Sequence, residues 1–222
     1  MIEIRALTKS FTLPNDSKLE ILESVDLHIT SGEFVVVMWQ SGQWKTTLLN
    51  ILAWLERDYI WSITLWGTKI DTMSEFEITQ FRGKHISYVF QEYNLIDSLT
   101  VEENIELVLD INKIARRFTT DEILERVGLL SKKYSYPTEL SGWEKQRVAL
   151  ARSFVGVSDI ILADEPTGSL DEKNAQKVME LLTSLWEETA CTIVMITHSQ
   201  EIANYAETQY VLKDKKLIKQ SR

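Results

Sequence analysis

Residues 39–47 read Trp39-Gln40-Ser41-Gly42-Gln43-Trp44-Lys45-Thr46-Thr47. This is the frame of a phosphate-binding loop, Gly-x-x-x-x-Gly-Lys-Ser/Thr, with tryptophan in both glycine slots. In such a loop, backbone N–H groups and a helix N-terminus cradle phosphate oxygens. Ser41, Gly42, Trp44, Lys45, Thr46 and Thr47 are the candidate contacts. The Lys45 ammonium is placed to reach the outer phosphates, and the Thr46 hydroxyl to meet a Mg2+ ion. Glycine belongs in the two slots because the turn is sharp and the backbone must approach phosphate closely. An indole at 44 is expected to clash with phosphate or redirect the loop, and one at 39 to oppose the tight turn. Taken alone, a chance Lys-Thr pair is the competing reading.

Three further groups carry chemistry. Ile160 to Ala163 is an apolar run closed by Asp164 and Glu165. A strand-end Asp is placed to hold Mg2+ through water, and the adjacent Glu to polarise an attacking water. An ordinary strand ending in solvated acids is the alternative. Leu140-Ser141-Gly142-Trp143-Glu144-Lys145-Gln146-Arg147 opens an amphipathic helix. Ser141 and Glu144 have capping-box spacing, beside free N–H groups that suit an anion. Thr192 to Ile196 is another apolar run, followed by Thr197-His198. Ligands of open α/β sheets collect at such strand ends.

The elements that position these groups are legible. Phe34 to Met38 is a continuous apolar run suited to a buried parallel strand, and Lys45 to Ala53 reads as a helix. Ile2–Arg5 and Val25–Ile29 alternate as strands, and Ile63–Trp66 is a further strand. About 92–140 is helix-rich, with Thr100 and Glu103 as a second capping box and a helix over Thr120–Val127. Gly128 and Pro137 break it, and from 141 the chain returns to the sheet. His28 and His85 are expected to be structural, and Lys132-Lys133 a solvated turn. The 222 residues suit one domain, and 44% hydrophobic with 26% charged content is ordinary for a globular protein. A net charge of −9 argues against non-specific nucleic-acid binding. No apolar run has the length of a membrane span, and no secretory signal is expected. The single Cys191 precludes an internal disulfide and fits a reducing cytosol.

These motifs, in this order, resemble the ATP-binding subunit of ABC transporters over essentially the whole chain. The resemblance rests on the phosphate loop, Val89-Phe90-Gln91-Glu92, the Leu140–Arg147 signature, Ile160–Glu165, Ser169-Leu170-Asp171 and His198. Asn94-Leu95-Ile96 and Leu99–Asn104 are similar to the subfamily of lipoprotein-release, macrolide-export and antimicrobial-peptide-resistance ATPases. The resemblance implies an α/β fold: a P-loop NTPase core with a mixed sheet, a helical subdomain and an N-terminal antiparallel β-subdomain. Residues 1–222 would form one domain, with 1–90 and 141–222 as core and about 92–140 as helical subdomain.

The implied ligands are ATP and Mg2+. Lys45 and Thr46 would bind phosphates and metal. Gln91 would sense the γ-phosphate, ligate Mg2+ and couple to the membrane subunit. Ser141 and Gly142 would reach ATP held by the other subunit, with Asp171 also at that interface. Asp164 would support Mg2+, Glu165 would be the general base, and His198 would clamp the γ-phosphate. Phe11 would stack on adenine, a core aromatic being the alternative. The implied partners are a second copy in the ATP-bound state and a separate integral membrane permease for export or extraction, without nucleic acid. The implied place is cytoplasmic, on the inner face of the membrane.

Trp39, Trp44, Trp54, Trp61 and Trp143 stand where the family pattern has glycine, five of the seven tryptophans. Trp143 is expected to place an indole beside Ser141. Trp54 and Trp61 fall after the loop helix and before the Ile63–Trp66 strand, where glycine permits positive φ. Either glycine has been replaced in an otherwise normal ATPase, or the subunit is degenerate. Retention of Lys45, Gln91, Glu165 and His198 favours the first, with impaired ATP binding or hydrolysis expected of the tryptophan chain. A soluble ABC protein without a membrane partner is a further alternative. Such proteins usually carry two cassettes or long insertions, and cofractionation with membranes discriminates.

Overall fold

In a computed structural model of the chain, residues 1–13, 16–39, 45–56, 60–65, 68–69 and 72–220 are described. Two sheets form. β1 (Ile2–Thr12), β2 (Lys18–Ile29), β4 (Ile60–Leu65) and β5 (Thr68–Lys69) make an antiparallel sheet in the order β2-β1-β4-β5. β3 (Phe34–Trp39), β6 (Ile86–Val89), β7 (Ile160–Asp164), β8 (Thr192–Thr197), β9 (Thr208–Lys213) and β10 (Lys216–Gln220) make the larger sheet, in the order β10-β9-β3-β8-β7-β6. Its pairings are parallel apart from the β9–β10 hairpin. That hairpin turns on Asp214 and Lys215, both at positive φ, as a two-residue turn compatible with strand twist requires. The mixed sheet and N-terminal antiparallel strands match the expectation from sequence.

Alternation along the central strands divides the interior in two. Phe34 and Val36 of β3 share one core with Ile161, Ala163, Ile193 and Met195. Val35 and Val37 share the other with Ile160, Leu162, Val194 and Ile196. Successive strand side chains point to opposite faces, so a run apolar at every position must be covered on both. α3 (Val101–Asn112), α4 (Thr120–Arg126), α5 (Gly142–Phe154) and α6 (Glu172–Thr189) cover the first face. α1 (Lys45–Leu52) and the antiparallel sheet cover the second.

α2 (Glu75–His85), α3, α4 and α5 each begin with a complete capping box: Ser74/Glu77, Thr100/Glu103, Thr119/Glu122 and Ser141/Glu144. In each, the hydroxyl accepts from the fourth residue's N–H while that residue's carboxylate returns to the cap N–H. Asn104, 1% exposed, fixes the entry to α3. Its amide donates to the carbonyls of Ile96, Leu99 and Thr100 and accepts from the Ile96 N–H.

Three expectations are corrected. Trp61 lies inside β4, which begins at Ile60, rather than ahead of it. Lys133 is not a solvated turn residue. Its ammonium bridges Glu102 of α3 at 3.0 Å and Asp121 of α4 at 2.7 Å, so opposite charge on two helices draws it in. α1 ends at Leu52, one residue early, and Trp66 lies outside the described residues.

Candidate active site

Parallel pairing brings the C-terminal ends of three strands level. Met38 of β3 is opposite Thr197 of β8, and Asp164 of β7 is opposite Ile196. The residues that follow, Glu165 and His198, are therefore neighbours although 33 positions apart. His198 Nδ1 lies 3.0 Å from Glu165 Oε1. The pair borders a cleft of about 470 Å3 that Thr167, Gly168, Ser199 and Tyr205 also line. The Glu165 side chain is 6% exposed and that of His198 61%. The Glu165 backbone is left-handed, φ 42°, a conformation an ordinary side chain disfavours. Its N–H donates to Ile196 O and its carbonyl accepts from Gly168 N–H, which hold that conformation in place. A Cβ at Gly168 would lie 3.0 Å from Glu165 Oε2 and 3.2 Å from Gln91 Nε2. Gln91, Glu165 and His198, predicted separately, thus meet in space.

The Gln91 loop is held by residues that sequence reasoning missed. Tyr93 and Asn94 follow with φ 60° and 48°. Arg152, on α5, donates to both their carbonyls, at 2.8 Å and 2.6 Å. The Tyr93 hydroxyl lies 2.8 Å from Ser169 Oγ, and a Cβ at Gly142 would approach that same hydroxyl to 2.9 Å. Tyr93 thus joins the Gln91 loop, the segment before α6 and the first turn of α5. The sequence carried no local signal for this, because Arg152 lies 58 and 59 positions from the carbonyls it holds.

The remaining predicted residues divide. Ser141 caps α5 as expected. Its hydroxyl accepts from Glu144 N–H and donates to the Glu144 carboxylate at 2.7 Å. The Ser141 backbone N–H, at 2.8 Å, and then its hydroxyl, both donating to the Glu144 carboxylate, hold that carboxyl below its usual range. Asp171 caps α6, accepting from Asn174 N–H at 3.0 Å, and that bond lowers its carboxyl too. Phe11 packs against the second core with the Lys9 ammonium 4.6 Å from its ring centre. Ser41, Gly42 and Trp44 lie outside the described residues, as do the side chains of Lys45 and Thr46. Lys45 and Thr46 open α1, and Thr47 is half-buried in its first turn.

Trp143 packs against the first core. Its ring lies along the flank of α5, with the Arg147 guanidinium 4.5 Å and the Lys177 ammonium 5.9 Å from its centre. Trp39 ends β3 and is buried. Trp54 is buried with φ 52°, as the sequence suggested for a glycine position.

The donors here suit magnesium. Asp164 offers carboxylate oxygen and Gln91 amide oxygen, hard donors of the kind Mg2+ takes. Among the described residues no group of three or more His, Cys, Asp or Glu is gathered as a metal cage. That is compatible with Mg2+, which keeps waters and substrate phosphates and uses few protein ligands.

The ABC transporter family model matches residues 22–168. The chain belongs to the ABC transporter family. This cassette is 42% identical over 207 residues to the bacitracin export ATP-binding protein BceA of Halalkalibacterium halodurans, covering 92% of this chain and 82% of that one. It is 40% identical to the ABC transporter ATP-binding protein MJ1508 of Methanocaldococcus jannaschii, covering 98% of both. Its fold is similar to that of the ATP-binding cassette MJ0796 in a dimeric post-hydrolysis state bound to ADP and Pi. The TM-score is 0.87 with 34% identity, over 100% of this chain and 98% of that one. The cassette is thus an ATP-binding subunit of a family that hydrolyses ATP. Among the described residues no helix is long and apolar enough to cross a membrane.

Proposed function

We propose that this cassette binds and hydrolyses Mg-ATP between two of its own copies and so drives a separate membrane permease that exports or extracts its substrate. The meeting of Gln91, Glu165, Gly168 and His198 at level strand ends carries the reading. Glu165 accepts the proton of the attacking water. His198, bonded to Glu165 through Nδ1, presents its other ring nitrogen toward the γ-phosphate. Lys45, Thr46 and Thr47, with Ser41, Gly42 and residue 44, hold the phosphates at the start of α1, and Phe11 flanks the base. Asp164, Thr46 and Gln91 hold Mg2+, which neutralises phosphate charge when bound. Ser141 and Gly142 at the start of α5, with Asp171, face the nucleotide of the other copy.

The bacitracin-export relative and the dimeric cassette support export and pairing. Residues 1–90 and 141–222 act as core, with about 92–140 as the helical subdomain. A groove of about 360 Å3, lined by Phe90, Leu107, Val108, Ile111 and Arg152, lies between them. Ile111 there is 67% exposed, an apolar anchor beside the Gln91 loop for the permease. The place of action is the cytoplasmic face of the membrane, without nucleic acid.

The test is equilibrium Mg-ATP binding and nucleotide-dependent dimerisation of the Glu165→Gln chain carrying glycine at 39 and 44. Binding with dimer formation is expected. A folded chain that does neither sinks the reading. A nucleotide-impaired cassette is favoured by the indoles at 39, 44 and 143, and the tryptophan chain in the same assay decides it.

A further inference from the structure

Position 54 has a local geometry that specifies its residue. α1 ends at Leu52. The Leu55 N–H then donates to Asn50 O at 2.8 Å, and the Trp54 N–H to Ile51 O at 3.0 Å. These are the two bonds of a Schellman motif, whose left-handed residue is usually glycine. Residue 54 is that residue, with φ 52°, and it is tryptophan, 3% exposed. Left-handed torsion alone does not name glycine, since Lys113 and Ala190 end helices in the same way. The indole adds the second sign. Its Nε1 is buried and bonds to nothing among the described residues. Buried tryptophan N–H groups usually find a partner. Both Trp54 and Trp186 meet a phenylalanine ring edge-on, Phe81 and Phe34, but only the Trp186 Nε1 has an acceptor, Gly32 O at 3.0 Å.

The phosphate loop repeats the anomaly independently. Both glycine slots of its frame hold tryptophan, at 39 and 44, while Lys45, Thr46 and the acidic and histidine strand ends are intact. Composition agrees. The chain has 8 glycines in 222 residues, about half the usual share, against 7 tryptophans. Drift does not select both glycine slots of a phosphate-loop frame together with a left-handed helix end.

We propose that the organism making this protein inserts glycine at positions 39, 44 and 54. Tryptophan and glycine codons differ by one base, and UGA is a codon whose reading varies, as stop, tryptophan or glycine. UGA at these positions, decoded as glycine, accounts for all three. Trp61 and Trp143 follow the same pattern in the sequence. Trp186, bonded through its indole, is a tryptophan read from UGG. The consequence for the site is an unobstructed phosphate loop, a consequence that rests on the nucleotide reading above.

The test is tandem mass spectrometry of peptides from the protein purified from its own source. Glycine at 39, 44 and 54, each peptide lighter by an indolylmethylene unit, with tryptophan at 186, is expected. Tryptophan at 39, 44 or 54 overturns the proposal. In parallel, chains made with glycine and with tryptophan at the three positions are compared for Mg-ATP binding. The glycine chain is expected to bind tighter by more than an order of magnitude. Glycine in the native peptides with no binding by the glycine chain leaves the decoding standing and removes the nucleotide reading. Tryptophan in the native peptides removes the decoding whatever the chains bind.

Discussion

Glu165 combines three properties that seldom coincide: a nearly buried carboxylate, a histidine contact at 3.0 Å and a left-handed backbone. Such torsion in a non-glycine residue costs about 1–3 kcal/mol and persists where the surroundings over-determine it. Here the Ile196 carbonyl and the Gly168 N–H do so. Glu165→Gln keeps size and backbone but removes the proton acceptor. We expect phosphate release to fall by about 100- to 10,000-fold, with Mg-ATP affinity within a few-fold of the parent. An unchanged turnover would remove Glu165 as the base. At this scale the sequence was informative about residue type and poor about contact. Acids after an apolar run and a histidine after another were visible, but the Gln91–Gly168–Glu165 approach depends on how three loops fold together. Trp54 shows the same limit from the other side. Position 54 was legible as a place for positive φ, whereas the orphaned indole needed its neighbours. The left-handed torsion costs about 1–2 kcal/mol and an unmade buried hydrogen bond about 1–3 kcal/mol.

The helix α5 is more than the carrier of Ser141 and Gly142. Through Arg152 it grips the carbonyls of Tyr93 and Asn94, and its first turn packs on the Tyr93 hydroxyl. A shift of the Gln91 loop is therefore felt at the start of α5, the turn we propose faces a second copy. Tyr93→Phe removes only the hydroxyl and its Ser169 bond, worth about 1 kcal/mol, or roughly five-fold in rate. Turnover should fall by that amount at unchanged Mg-ATP affinity, measured by steady-state hydrolysis beside equilibrium binding. Equal losses in both would show a general loosening instead. A second element-level expectation concerns α3. Asn104→Ala takes the side-chain partner from the Leu99 carbonyl and the Ile96 N–H and should cost about 1–3 kcal/mol in urea unfolding, while a change at an exposed position of the same helix, such as Asp110→Asn, should cost far less. The capping boxes at Ser141 and Thr100 were readable because each is four residues long. Arg152 and Lys133 were not, because their partners lie far away in the chain.

Across the molecule, Glu77, Glu103, Glu122 and Glu144 share one device. Bonds from the cap residues Ser74, Thr100, Thr119 and Ser141 hold each carboxyl below its ordinary value of 4.5. A folded-state value below the unfolded one stabilises the fold above the unfolded value, and that contribution is lost as pH falls through the folded values. Melting temperature should thus hold from neutrality to about pH 5 and drop below about 4.5. Replacing all four glutamates by glutamine should flatten that drop, as followed by thermal melts in a pH series. The overall architecture was the most legible level, since runs such as Phe34–Met38 and Ile160–Ala163 announce buried parallel strands. The order of those strands was not, because it is set by crossovers through helices. One feature of the sheet reaches beyond stability. Val35 and Val36 are neighbours in the chain yet belong to different interiors. Adding or deleting a single residue inside β3 would exchange the contents of both interiors at once and move Met38 out of step with Thr197. The reading frame of that strand is therefore a fixed length in any lineage that keeps this fold, and inherited changes of length must settle in the connections around it.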